Sequence, residues 1–260
     1  MSLDLLTSPL LQRDDLVHAF TTRAGGVSEG PYASLNMTRS RGDSAEHVAT
    51  NRTRVRQALG LDYLAFAIQV HGKAVVRVDD APKGDQAAGE ADAMITDRPG
   101  IGLVCQTADC TPILLFDPKR RAIAAIHSGW RSTVLDIVAE TIAAMQREYG
   151  SDPADLIAAI GPSISPANYR VGPEVVASFE AVFADTAGIL SPLDEDGGAQ
   201  LDVGEACHRQ LIAAGIPASQ IERSPLCTYA EEARLFSARR SHHRGQSGVF
   251  GGQAGIIGLR

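Results

Sequence analysis

Residues 101–131 read Ile101-Gly-Leu-Val-Cys105-Gln-Thr-Ala-Asp109-Cys110-Thr-Pro-Ile-Leu-Leu-Phe116-Asp-Pro-Lys-Arg-Arg-Ala122-Ile-Ala-Ala-Ile-His127-Ser-Gly-Trp-Arg131. Three apolar runs of strand length, 102–105, 112–116 and 122–126, follow one another closely. Asp117-Pro118-Lys119-Arg120 supplies turn chemistry between the last two, so that pair is a hairpin candidate. A run that stays apolar to its end and then stops on His or Cys places that side chain at a sheet rim, open to solvent and metal. Cys110 and His127 are such residues, and His71, after the apolar run 65–70, is a third. Two imidazoles and one thiolate make a three-ligand zinc set with the fourth tetrahedral position open to water or substrate.

The rest of the chain fits around that stretch. With 44% hydrophobic and 21% charged residues in 260, it can bury a sizeable core. A net charge of −7 argues against binding nucleic acid, which relies on Lys and Arg to neutralise phosphates. No apolar run approaches membrane-spanning length, and the N-terminus lacks the basic region of a signal peptide. Four cysteines without a CxxC, and no export signal, read as reduced thiols in a cytoplasmic protein.

Outside residues 101–131, the periodicity predicts helices over 44–59, stopped by Gly60, and over 133–149, capped by Ser132 or Thr133. Further helices are expected over 173–183, with Pro173 at the first position, and from Asp202 through Ala214. Strands are expected over 93–96, 156–160, 226–229, 235–238 and 256–259, with 241–255 a flexible loop. Runs 65–70 and 74–78 flank His71-Gly72-Lys73, which suggests a hairpin or a sharp bend with His71 at its tip. No linker divides the chain, so residues 1–260 are read as one domain of mixed sheet and helices.

Several residues invite weaker readings. Cys105 lies inside an apolar run and reads as core. Cys207 and His208 are neighbours on a helix and point about 100° apart, which excludes shared ligation. His242-His243 sits in a glycine-rich tail, and Cys227 is explained equally well by packing. Asp109 is a candidate to orient a ligand imidazole or serve as a base, or else it caps a strand end. The segment from Ser128 to Arg131, leading into a helix, is the best anion site, with Arg131 adding a planar fork. Arg23, beside two glycines, and Arg239 or Arg240 are further anion candidates.

The motifs Gln69-Val-His-Gly72, Thr107-Ala-Asp-Cys110 and His127-Ser-Gly-Trp-Arg131, in that order, resemble the YfiH-like laccase-domain family, also called multicopper polyphenol oxidoreductases. Thr22-Arg-Ala-Gly-Gly-Val-Ser28 and Ser34-Leu-Asn36 extend the resemblance from Thr21 to the final strand. The resemblance implies an α+β fold, an α/β/β/α sandwich with mixed β-sheets, and it implies zinc held by His71, Cys110 and His127. Bacterial members include purine nucleoside phosphorylases and a peptidoglycan editing factor. It therefore implies phosphorolysis of nucleosides, methylthioadenosine included, and deamination of adenosine. The partners would be a small-molecule nucleoside and phosphate.

Zinc-activated water would attack the purine ring, while Arg131 and the helix start would hold phosphate. Two other chemistries suit the same residues. Copper also favours thiolate and imidazole, which would make a polyphenol oxidase, although a four-copper cluster needs more imidazoles than seven histidines readily supply. Alternatively, Cys110 as nucleophile with His127 as base would make a hydrolase, or the chain could bind metal or nucleoside without turnover. Departures from the family pattern fall near the expected pocket. Ser128 and Ser132 alter the usual HAGWRG, Ala238 replaces an aromatic residue or His, and Gly251-Gly252 lacks a late arginine.

Overall fold

The computed structural model describes residues 2–39, 41–80 and 88–260. One sheet has the order β1 (Leu5–Leu6), β2 (Leu16–Thr21), β13 (Gln253–Leu259), β6 (Ile101–Thr107) and β3 (Tyr63–Phe66). The other runs β12 (Ile221–Arg223), β9 (Ile157–Ile160), β7 (Thr111–Asp117), β8 (Ala122–Ser128), β5 (Ala93–Thr96) and β4 (Val75–Arg77). A small ribbon joins β10 (Arg170–Val171) to β11 (Ala199–Gln200). Both large sheets are mixed: β3 is parallel to β6, β4 to β5 and β12 to β9, and the other pairings are antiparallel. The helices are α1 (Ala45–Leu59), α2 (Trp130–Val134), α3 (Ile137–Tyr149), α4 (Pro173–Glu180), α5 (Val203–Ala213) and α6 (Ala238–His243).

Alternation along the central strands explains the layers. Leu114, Phe116, Ile123 and Ala125 pack between the sheets with Phe20, Leu103 and Cys105. Ile113, Leu115, Ala124 and Ile126, on the opposite face of the same strands, pack under α3, α4 and α5. On the far side, Val104 and Ile256 meet Val55 and Leu59 of α1. The result is helix, sheet, sheet, helix, and it explains why β7 and β8 are apolar at nearly every position. Truncating Leu114, which is wholly buried, to alanine would cost about 2–5 kcal/mol.

The hairpin of β7 and β8 forms as expected, and so do α1, α4 and α5. Gly60 ends α1 in the left-handed conformation, φ 65°. Four expectations are corrected. The helix expected over 133–149 is two helices, because Asp136 (φ 57°) breaks the chain and its side chain caps α3 by accepting from the Ala139 N–H. The apolar spacing runs through this break because both pieces pack on one sheet face. Residues 235–238 form no strand, since Ser237 caps α6 instead by accepting from the Arg240 N–H. Residues 226–229 make only a bridge, from Cys227 to Ser163. The expected tail loop holds α6 and the start of β13. No helix among the described residues is long and apolar enough to cross a membrane.

Candidate metal centre

The site forms at one end of the sandwich, where three chain segments meet. β6 turns into β7 through Ala108-Asp109-Cys110, and Asp109 takes a positive φ of 94° to make that turn. β8 brings in His127 opposite Pro112, and the alternation that sends Ile123 and Ala125 between the sheets sends His127 the same way. The third segment joins β3 in one sheet to β4 in the other. It is therefore a bend between sheets and not a hairpin, with His71 at φ 60°. Gln69 fastens it to the end of β6: the side-chain amide donates to the Gln106 carbonyl at 2.7 Å and accepts from the Gln106 N–H at 2.7 Å.

His71, Cys110 and His127 come together, with their ligand atoms all within 4.8 Å of one another. Cys110 Sγ lies 3.8 Å from His71 Nε2. A tetrahedral zinc with ordinary bond lengths sets an S···N edge of about 3.6 Å, which the Cys110–His71 pair matches closely. The two rings meet edge to face, centroids 4.9 Å apart. Gly129 lies behind them, and a Cβ there would sit 2.8 Å from His71 Cδ2 and 3.2 Å from Cys110 Sγ. Glycine at this position leaves both ligands room.

Neighbouring charges and hydrogen bonds favour the ionised form of the thiol at this centre. Burial pushes the Cys110 thiol up, but His127 and hydrogen bonds from both imidazoles outweigh it and bring the thiol below its ordinary value. Burial pushes His127 down, and the Cys110 sulfur and the Asp92 carboxylate more than reverse that. A thiol that ionises readily is the form that ligates metal or attacks a carbon centre. Cys105 behaves oppositely: buried against the Gly255 carbonyl, its thiol is pushed up to about 12, in keeping with its reading as core.

The carboxylate beside the histidines is Asp92, not Asp109. His127 Nδ1–H donates to Asp92 Oδ1 at 2.8 Å. Burial alone would raise Asp92, but hydrogen bonds from His127, Gly72 and Val70 hold it below the usual carboxylate range. Asp109 instead accepts from Thr228 Oγ1 and from the Arg239 N–H, each at 2.7 Å, and burial pushes it up. It ties the β6–β7 turn to residue 228 and to the start of α6.

A cavity of about 620 Å³ opens onto the three ligands. Its walls carry guanidinium groups laid over aromatic rings: Arg131 on Trp130 (4.3 Å), Arg239 on Tyr169 (4.9 Å), Arg41 on Phe250 (4.8 Å) and Arg52 on Phe66 (3.7 Å). Arg131 and Arg239, which the sequence offered as anion-binding candidates, line the cavity, although α2 has only five residues and offers little helix dipole. Arg23 lies outside this lining: it donates to the Ala33 and Glu232 carbonyls and rests on Phe236, which clamps two loops. Arg240 is buried and donates to the carbonyls of Thr228, Tyr229 and Leu235. Ala238 and His242 also line the cavity. At Gly252 a Cβ would run into Thr38 Oγ1, so this chain has no room for a side chain there.

Sequence reasoning missed Asp92, Phe66, Tyr169 and Phe250. Asp92 did carry a signal, as a lone acid directly before a buried strand, but nothing local says which imidazole that strand will meet.

Residues 17–260 match the family described as multi-copper polyphenol oxidoreductase laccase. A purine nucleoside phosphorylase of Bacteroides thetaiotaomicron is 40% identical over 234 residues, covering 87% of this chain and 87% of the relative. One from Deinococcus radiodurans is 40% identical over 258 residues, covering 96% of this chain and 93% of the relative. The crystal structure of Bacillus licheniformis hypothetical protein YfiH superposes with a TM-score of 0.87 at 34% identity, covering 94% of this chain and 93% of that one.

Proposed function

The chain belongs to the multi-copper polyphenol oxidoreductase laccase family, and from that premise we propose that it is a zinc-dependent purine nucleoside phosphorylase that also deaminates adenosine and cleaves methylthioadenosine. The observation that carries this reading is the His71–Cys110–His127 cluster opening onto a cavity walled by guanidinium groups and aromatic rings. Relatives of 40% identity are named purine nucleoside phosphorylases.

A zinc ion held by His71, Cys110 and His127 would supply a Lewis acid and acidify a bound water. The remaining work falls to the chain. Arg131 and Arg239, braced on Trp130 and Tyr169, present planar forks suited to inorganic phosphate. In phosphorolysis a phosphate oxygen bonds to the sugar carbon C1′, the C1′–N9 bond breaks, and the purine leaves with the bond's electron pair and takes up a proton. Holding phosphate and nucleoside together removes the entropic cost of a bimolecular encounter. Phe250, partly exposed on the cavity wall, gives a flat purine an apolar surface to pack against. In deamination a water oxygen bonds to C6 and one water proton goes to N1; the C6–N bond then breaks with its electron pair on the departing nitrogen, which takes the second water proton and leaves as ammonia.

Elemental analysis of purified protein, combined with a nucleoside screen with and without phosphate, tests the proposal. One bound zinc and phosphate-dependent release of purine are expected, with His127→Ala abolishing both phosphorolysis and deamination. Copper in place of zinc, with oxygen consumption on phenols, would move the assignment to oxidation. Retained phosphorolysis in metal-free protein would rule the mechanism out.

A second reading has one observation in its favour, the Cys110 sulfur lying among two imidazoles, one of them backed by the Asp92 carboxylate. That arrangement suits a nucleophilic hydrolase, including one acting on peptidoglycan precursors. Zinc and an acyl intermediate compete for the same sulfur. Alkylation of Cys110 that is blocked by metal and released by chelator favours the first reading, whereas an acyl adduct trapped on Cys110 favours the second.

A further inference from the structure

We propose that Asp92 is the positioning residue of this centre: its single carboxylate sets both the ring tautomer of His127 and the shape of the loop that carries His71. This role rests on the reading of His71, Cys110 and His127 as metal ligands.

Four donors converge on that carboxylate, whose side chain is wholly buried. Oδ1 accepts from His127 Nδ1–H at 2.8 Å and from the His71 N–H at 3.0 Å. Oδ2 accepts from the Gly72 N–H at 2.7 Å and from the Val70 N–H at 3.2 Å. The main chain of Asp92 is committed to the same two segments. Its carbonyl accepts from the His127 N–H at 2.7 Å, and its N–H donates to the Ala74 carbonyl at 3.1 Å.

Two consequences follow from hydrogen-bond polarity. A neutral imidazole has one N–H, and an ionised carboxylate only accepts, so Nδ1 of His127 carries the proton. Nε2 is then left with a lone pair for a metal. In the loop, His71 holds φ 60°, an uncommon conformation for a residue with a side chain. Three successive N–H groups closing on one carboxylate stabilise that curl, as in a backbone nest around an anion.

Asparagine at 92 is nearly isosteric but presents one acceptor atom and one donor. In either orientation it points N–H at two of the four donors. With the amide N–H toward His127, the ring can accept only by moving its proton to Nε2, where it blocks the metal. The predicted defect is therefore one of polarity, not of size.

The test compares wild-type protein with D92N by chelator competition for zinc. Alongside it, nitrogen-15 NMR of the metal-free proteins, at a pH alkaline enough to leave the His127 ring neutral, reads its tautomer, and hydrogen exchange follows the amides of residues 70–72. D92N is expected to fold, to bind zinc about 10–100-fold more weakly, to carry its His127 proton on Nε2, and to exchange those amides faster. Wild type that binds zinc alongside a D92N that binds it equally well, with the tautomer unchanged, overturns the role of Asp92 alone. Wild type that binds no zinc overturns the metal reading, and this role with it. Should D92N fail to fold, wild type still decides: Nδ1–H on His127 supports the assignment, and Nε2–H overturns it.

Discussion

Replacing Gly129 with alanine adds one methyl group behind the metal centre. Its φ of −85° and ψ of 174° suit any residue, so the backbone contributes no strain. The new Cβ would lie 2.8 Å from His71 Cδ2, 3.2 Å from Cys110 Sγ and 3.5 Å from His71 Nε2. Carbon atoms in contact prefer about 3.5–4.0 Å, so the His71 ring must retreat by about 0.7–1.2 Å. Metal sites tolerate about 0.2 Å of error in ligand distance, so the ring cannot retreat and still ligate well. Crowding of this kind costs about 1–3 kcal/mol, and each 1.4 kcal/mol is tenfold in affinity. Zinc affinity of Gly129→Ala, read by chelator competition, is therefore expected to fall about 5- to 150-fold. The metal-free protein should lose only a few degrees in Tm. Wild-type zinc affinity in Gly129→Ala would refute the reasoning, because it would mean that the ring and sulfur do not converge in front of that glycine.

Other perturbations separate site from scaffold. Arg131→Ala should raise the KM for phosphate about tenfold or more with little change in Tm, whereas Arg23→Ala should lower Tm and leave that KM alone; the opposite pattern in steady-state kinetics and melting would reverse their roles. Asp109→Ala strands the Thr228 hydroxyl and the Arg239 N–H. Urea unfolding should show a loss of about 2–4 kcal/mol, and an unchanged midpoint would contradict the buried tether. Acid should weaken the fold through His18. Burial lowers its pKa below the ordinary 6.5, more than the nearby Glu222 carboxylate raises it. The unfolded chain thus binds more protons between the folded value and 6.5, and stability falls as pH drops below about 6.5. Urea midpoints at pH 7.5 and 5.5 check this, and His18→Asn should remove that part of the slope.

Much of the candidate site was legible before the fold was known. His71, Cys110 and His127 were marked by where apolar runs end, and the β7–β8 hairpin that presents two of them followed from Asp117-Pro118 between buried strands. Local signals also placed α1, α4 and α5: Gly60 stops α1, Pro173 opens α4, and Asp202 caps α5. Errors arose where a local pattern had two realisations. Apolar spacing ran through the break at Asp136, and Ser237 could precede a helix as readily as lie in a strand.

What the chain by itself determined is the set of candidate ligands and the apolar runs that end on them, because side-chain chemistry and a two-residue alternation are written into neighbouring positions. What only the tertiary structure decided is which groups meet. Asp109, next to the ligand Cys110, turned out to tether loops, while Asp92, 35 positions from His127, orients its ring. That choice depends on β5 pairing with β8 and on the bend between sheets at His71. A hydrogen bond across a sheet is fixed by strand order and register, and no stretch of adjacent residues encodes either one.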